Sequence, residues 1–210
     1  MAETQSRLGE ANQRAQAKVD KFEARRAELA DAALSTLSRL GYARTSLRDI
    51  AENTEFSHGV LRYYFDDKLD LITQCIRQYK AVCVKRYDVA TTTAATQDEL
   101  LDGFIAQLSE TLVAETHLHR LWYDLRSQAL FEAALRDDVQ KIDSDLEQMI
   151  WRVVARYAEM EGGSPKLSPK ALYALFDGLF QAALAQVVAG EDTAVSEMEK
   201  ELRALFPAIA

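Results

Sequence analysis

The 210-residue sequence predicts an all-α fold, and three observations carry that prediction. Only 8 Gly and 3 Pro interrupt a chain that is 48% hydrophobic, with Glu, Lys and Arg spread between Ala- and Leu-rich runs. Apolar residues recur at three- and four-residue steps along most of the length, the spacing of a buried helix face. No segment of any length alternates with the period of two that marks a strand.

The elements follow in order. Residues 1–18 lack a sustained apolar stripe, so 1–19 reads as a tail or a helical extension. From Asp20, the residues Phe22, Leu29, Ala33, Leu34, Leu37 and Leu40 form one stripe, and Gly41 is a left-handed cap that ends the helix. Thr45 or Ser46 caps a short second helix with Leu47, Ile50 and Ala51 inward and Asp49 in its first turn. Ser57 caps a third, with Val60, Leu61 and Tyr64 inward, ended at Phe65. Asp66 or Asp67 caps a longer one that reaches about Asp88. "ATTTAATQ" then reads as a β-branched polar linker with no packing pattern. Helical blocks are expected near 97–116, 118–135, 137–161, 168–189 and 194–205, with "EGGSPKLSP" a loop whose glycines stop one helix and whose prolines start the next.

Charge and cysteines narrow the function classes. The net charge of −8 argues at first sight against nucleic acid, but residues 1–68 balance and the whole acidic excess lies beyond them. The first third is therefore free to present a local basic face to phosphates. Cys75 and Cys83 sit eight apart in one expected helix, about 12 Å at the helical rise, too far for a disulfide. Together with an N-terminus lacking a signal-like apolar core, that points to a reducing cytoplasm. No uninterrupted apolar run reaches the ~18 residues of a bilayer span, so no membrane partner is expected. H-E-x-x-H, Cys-cluster, G-x-S-x-G and phosphate-cradling glycine patterns are all missing, so neither an enzyme, a metal nor a cofactor is expected.

The chemistry concentrates in "TSLRDIAENTEFSHGVLRYYFDDK". Two short helices around "TEF" have helix-turn-helix spacing, with small Ala51 where the helices would cross and Leu61 to plug the third helix onto the others. Glu55 stands where such turns usually want Gly, and a positive φ there would cost about 1–2 kcal/mol unless the turn bends differently. The order of hydroxyl, Asp49-Ile50-Ala51, Ser57, Gly59, Leu61, Tyr64, Phe65 and Lys68 resembles the DNA-binding domain of the TetR family of bacterial transcriptional regulators. The departures are Glu55 and Arg62, the latter where the family usually carries Tyr. The resemblance covers about a quarter of the chain and implies residues 20–67 as a three-helix DNA-binding domain, with 68–210 as a helical regulatory and dimerisation domain.

Residue roles follow from the chemistry of each side chain. His58 and Arg62 lie one turn apart on the third helix and are candidates for base edges, Arg62 also for phosphate; Gly59 would let the backbone approach the bases. Thr45, Ser46, Arg48, Ser57, Tyr63, Tyr64 and Lys68 are rim donors suited to phosphates. Thr45 and Ser57 would cap helices in any protein, and Tyr64 reads equally well as core. In the body, Tyr79, Cys83, Phe104, Leu108, Trp122, Tyr123, Trp151, Phe176 and Phe180 are candidate linings of a small-molecule pocket, although aromatics at helical spacing are usually plain core. His117 and His119 project about 200° apart and make a poor metal pair.

The 171–190 stretch is apolar around most of its circumference, and Ala174, Gly178, Ala182 and Ala185 would let a second copy approach; Leu202 is added from the last helix. The resemblance likewise implies a homodimer joined by its last two helices. The expectation is a ligand-responsive repressor that binds double-stranded DNA at a pseudopalindromic operator as a homodimer and is released by an unidentified small-molecule effector. The rival reading is a dimeric helical scaffold that binds a protein partner through an apolar groove.

Overall fold

The computed structural model describes residues 2–41 and 45–210. Among them every regular element is helical: α1 (Ala2–Leu40), α2 (Leu47–Glu52), α3 (His58–Tyr64), α4 (Lys68–Arg86), α5 (Asp88–Thr93), α6 (Gln97–Ala114), α7 (Thr116–Gln128), α8 (Arg136–Glu159), α9 (Pro169–Ala189) and α10 (Ala194–Ile209), with a 3₁₀ turn at Ala133–Leu135. The chain divides into two compact units, Met1–Gln78 and Tyr79–Ala210, and the division falls inside α4 rather than at its start.

In the first unit, α1 is one helix from Ala2 onward, so the expected tail continues directly into the first helix of the head. Gly41, at φ 80°, ends it as the left-handed residue the sequence suggests. Leu29, Ala30, Ala33 and Leu37 of α1 meet Ile50, Leu61, Phe65, Leu71, Ile72 and Ile76 in a closed apolar core. Ser46 and Asp49 form a reciprocal capping box: the Asp49 amide donates to Ser46 Oγ at 3.2 Å and the Ser46 amide to Asp49 Oδ2 at 2.8 Å. That arrangement holds the Asp49 carboxyl below its usual range, chiefly through the hydrogen bonds from Ser46.

The turn between α2 and α3 resolves the Glu55 question. No described residue other than glycine has a positive φ, so Glu55 bears no left-handed strain. The chain leaves α2 through Asn53, whose amide donates to the carbonyls of Ala51 and Ile50 and whose side chain donates to the Asp49 carbonyl at 2.8 Å. Ser57 then restarts the helix by accepting from the Val60 amide at 3.3 Å.

In the second unit, α9 packs chiefly on α8 and α10, and α6 closes against α10. Phe104, Phe176 and Phe206 stack edge to face with centroids 5.4–5.9 Å apart, and Tyr87 and Tyr157 extend the cluster. Two expectations change here. Residues 88–93, expected partly as linker, form the short helix α5, in which Thr91, Thr92 and Thr93 each donate a hydroxyl back to a carbonyl one turn earlier. The block expected over 118–135 stops at Gln128 and resumes only as the 3₁₀ turn.

By length and averaged hydropathy α9 is long and apolar enough to cross a bilayer, although Asp177 and Gln181 interrupt its apolar run. In the fold, Asp177 is paired with Arg126 of α7, which is how a bundle helix accommodates such a residue. Only 28% of the apolar stretch of α9 is buried within the protomer.

Candidate nucleic-acid interface and interior cavity

On the head, α3 presents His58, Gly59, Arg62 and Tyr63 to solvent, while Leu61 is fully buried beneath them. The side chains of His58 and Arg62 make no hydrogen bond or ion pair with the described residues, so both are available to a ligand. They border a surface recess together with Ser46, Arg48 and Lys68. Five side chains from three different helices or their caps thus converge on one concave face. Arg48 is only loosely held by Glu52, an exposed i,i+4 pair at 3.1 Å that a phosphate can replace. Asp66 and Asp67 also line the recess. Asp67 accepts from the Asp70 amide at 2.9 Å as the cap of α4, so its presence has a structural cause. A Cβ at Gly59 would meet only Ser57 Oγ at 3.9 Å, so the smooth backbone at this point is open outward.

One predicted contact is corrected. Thr45 lies at the recess but is 3% exposed, and its hydroxyl donates to the Gly41 carbonyl at 2.7 Å. It locks the turn before α2 instead of facing outward. Tyr64 is half-buried with its ring 4.9 Å from Phe22, and Tyr63 packs edge-on against it at the same spacing. Tyr63 itself remains 72% exposed.

Sequence reasoning missed Arg26. Its guanidinium donates to the Tyr64 carbonyl at 2.5 Å and to both Asp70 oxygens at 3.1 and 2.6 Å, and it lies 4.6 Å from the Phe65 ring centroid. One side chain of α1 therefore fixes the end of α3 against the start of α4. The Arg–Asp spacing of 44 residues leaves no local pattern that could have announced it.

Within the second unit lies a cavity of about 70 Å³, several times the roughly 10–15 Å³ that one water needs. Of the predicted lining residues, Cys83, Leu108, Trp122, Tyr123, Phe176 and Phe180 border it. Three do not. Phe104 is spent in the aromatic cluster of the core, Trp151 faces elsewhere on α8, and Tyr79 stands behind His119.

The polar lining was largely unforeseen. Arg86 is held by both oxygens of Glu115 at 2.9 and 2.8 Å, and Tyr79 donates to the same carboxylate at 2.8 Å. Asp177 accepts from Tyr123 at 2.9 Å and Arg126 at 2.5 Å, while Arg126 also approaches Asp143 at 3.3 Å. His119 is buried, with Nε2 3.4 Å from the Tyr79 hydroxyl and Nδ1 lacking any partner. Burial, reinforced by the charge of Lys80, pushes its pKa down to about 3, so the imidazole is neutral.

Comparison with known proteins bears on this geometry. The sequence model for bacterial regulatory proteins of the tetR family matches residues 29–75, the segment from mid-α1 into α4. An HTH-type transcriptional regulator BetI from Paraburkholderia phymatum is 26% identical over 168 residues, covering 78% of this chain and 83% of that protein. The head of the chain therefore matches the TetR family, and the BetI relative is similar over most of both chains.

Two solved structures show the same fold over most of both chains. A transcriptional regulator from Saccharomonospora viridis in complex with choline superposes with a TM-score of 0.71 at 20% identity, covering 88% of this chain and 96% of its own. The FadR regulator of Bacillus subtilis in complex with stearoyl-CoA gives 0.69 at 16% identity, covering 85% and 95%. The TetR fold accounts for the placement of the two short helices, where the recess-facing residues of α2 and α3 sit on a head closed by α1 and α4.

Proposed function

We propose that this protein is a ligand-responsive transcriptional repressor of the TetR family, acting in the cytoplasm as a homodimer on a pseudopalindromic operator. Residues 20–67 serve as the DNA-binding domain and 68–210 as the regulatory and dimerisation domain. The observation that carries the reading is the recess where unpartnered His58 and Arg62 meet Ser46, Arg48 and Lys68. Arg62 suits guanine or phosphate, His58 suits a base edge, and the others suit phosphate oxygens that set register.

Dimerisation is supported by α9. Ala174, Gly178, Ala182 and Ala185 are all exposed in the protomer at three- and four-residue steps, and Leu175 and Val188 extend the apolar stripe. A Cβ at Gly178 would meet nothing within 4 Å, so the groove along this face is open to a second helix. Leu202 is withdrawn from the interface: it is fully buried in the protomer core and has no surface left to offer. A two-fold dimer would present two α3 helices to half-sites a helical turn, or a multiple of it, apart.

The effector reading rests on the cavity and on α4, a single helix whose last turns carry Lys80, Cys83 and Arg86 into the cavity lining. A ligand there acts on the head only if it binds the released state better by a few kcal/mol. Structural neighbours in complex with choline and with stearoyl-CoA support the reading of a small-molecule effector. The test is a gel-shift titration at fixed salt on a sequence selected from random DNA. Wild type is expected to prefer that sequence strongly over scrambled DNA, and Arg62→Ala is expected to lose most of the preference. Equal binding of both sequences by both proteins would overturn the proposal.

A further inference from the structure

Lys80 is a group at the cavity that the rest of the fold does not explain. It is 6% exposed, lines the cavity, and makes no hydrogen bond or ion pair with any described residue. A largely buried lysine whose ammonium faces a cavity without an ion-pair partner is costly, because the charge has lost most of its water. The nearby carboxylates are already committed: Glu115 to Arg86 and Tyr79, Asp177 to Arg126 and Tyr123. What Lys80 does have is two rings, Tyr79 and Trp122, each with its centroid 5.2 Å from the ammonium. An aromatic cage able to hold a ligand cation is thus already occupied by the protein's own cation.

We propose that the cavity takes an organic anion, a carboxylate on a short apolar or aromatic body, whose carboxylate pairs with Lys80. This deepens the effector reading above and rests on it for any consequence at DNA, though not for binding itself. Trp122, Phe176, Phe180, Met149 and Ile150 supply the apolar wall for the body of such a ligand. Cations are disfavoured twice, by repulsion from Lys80 and by the loss of the Trp122 face. Burial holds the Lys80 pKa below the ordinary lysine range, and an incoming acid restores the charge in either case. It arrives as a carboxylate facing an ammonium, or it hands its own proton to a neutral amine; both give the same ion pair. Such a charge-assisted contact in a low-dielectric site is also a strong discriminator, because an uncharged isostere leaves the ammonium unpaired.

The experiment compares three shape-matched probe series on the full chain: benzoate, cyclohexanecarboxylate and hexanoate; their primary amides; and benzyltrimethylammonium with choline. Binding is followed by tryptophan fluorescence and calorimetry. At least one carboxylate should bind tenfold or more tightly than its amide, with the cations weakest. In Lys80→Met, which keeps the volume and removes the charge, that ratio should fall to near one. Should the variant not fold, the wild-type ratio alone decides. Carboxylates that bind no better than their amides, or cations that bind best, would overturn the inference. Gel shifts with the tightest probe separate the two proposals. Lys80-dependent carboxylate binding that leaves DNA affinity unchanged upholds the anion site while refuting its effector role.

Discussion

Acid should weaken this fold through a single buried imidazole. His119 sits between Tyr79 and Phe180, near Lys80 and the Arg86–Glu115 pair, and its pKa is pushed down to about 3 from 6.5. A lowered histidine pKa means that the unfolded chain binds the proton more readily than the folded one. The stability held by neutral His119 is therefore complete above pH 6.5 and is lost as pH falls toward 3. The full shift corresponds to about 5 kcal/mol at 1.36 kcal/mol per pKa unit. Between pH 7 and pH 5 the share lost is about 2 kcal/mol, because only the unfolded state titrates appreciably there. Urea unfolding of wild type and His119→Gln at both pH values and one protein concentration measures it. Wild type should lose about 2 kcal/mol more than the variant over that interval. The comparison uses the change with pH, so any fixed damage done by the substitution cancels. Equal losses in the two proteins would refute the placement of His119 as a buried neutral base.

Three further outcomes follow from the same contacts. Lys80→Met should stabilise the ligand-free protein by about 1–2 kcal/mol in urea unfolding at neutral pH, since it removes a desolvated charge without opening a cavity. Arg26→Met should lower stability by about 1–3 kcal/mol, because Asp70 and the Tyr64 carbonyl lose a shared donor, and should weaken selective DNA binding by loosening the end of α3. Gly178→Glu should leave the protomer fold intact, as seen by far-ultraviolet circular dichroism, while light scattering shows the dimer dissociating; the open space at its Cβ is the reason.

Local rules carried the head a long way. Hydroxyls before short apolar patterns marked the caps at Ser46 and Ser57, and the three-to-four spacing located Leu61 as the plug, because these are interactions between close neighbours in sequence. Thr45 shows the limit: the same hydroxyl that suits a phosphate also suits a carbonyl four residues back, and only the fold decides between them. The turn at Glu55 teaches the reverse. A motif's usual glycine is dispensable when Asn53 can end the helix without a positive φ.

The cavity was less legible, for a physical reason. Aromatic periodicity says that Phe104 and Phe176 are buried, but not that the first fills the core while the second borders open space. Asp177 read as a polar interruption of an apolar helix, and its partner Arg126 lies 51 residues away on α7. Lys80 was passed over because a lysine between apolar residues normally extends its ammonium to water; here α4 is covered on that side and the charge stays inside. Leu202 looked like an interface residue from its position near the C-terminus, yet α10 turns that face toward the core.

The most direct measurement is selection of duplex DNA from a random pool by the full-length protein, followed by affinity as a function of salt for wild type, Arg62→Ala and His58→Ala. A palindromic site should emerge, bound two protomers at a time, with both variants losing tenfold or more for that site and little for unrelated DNA. A pool that enriches no sequence, or variants that bind the winner as well as wild type does, would contradict the reading of α3 as the element that reads DNA.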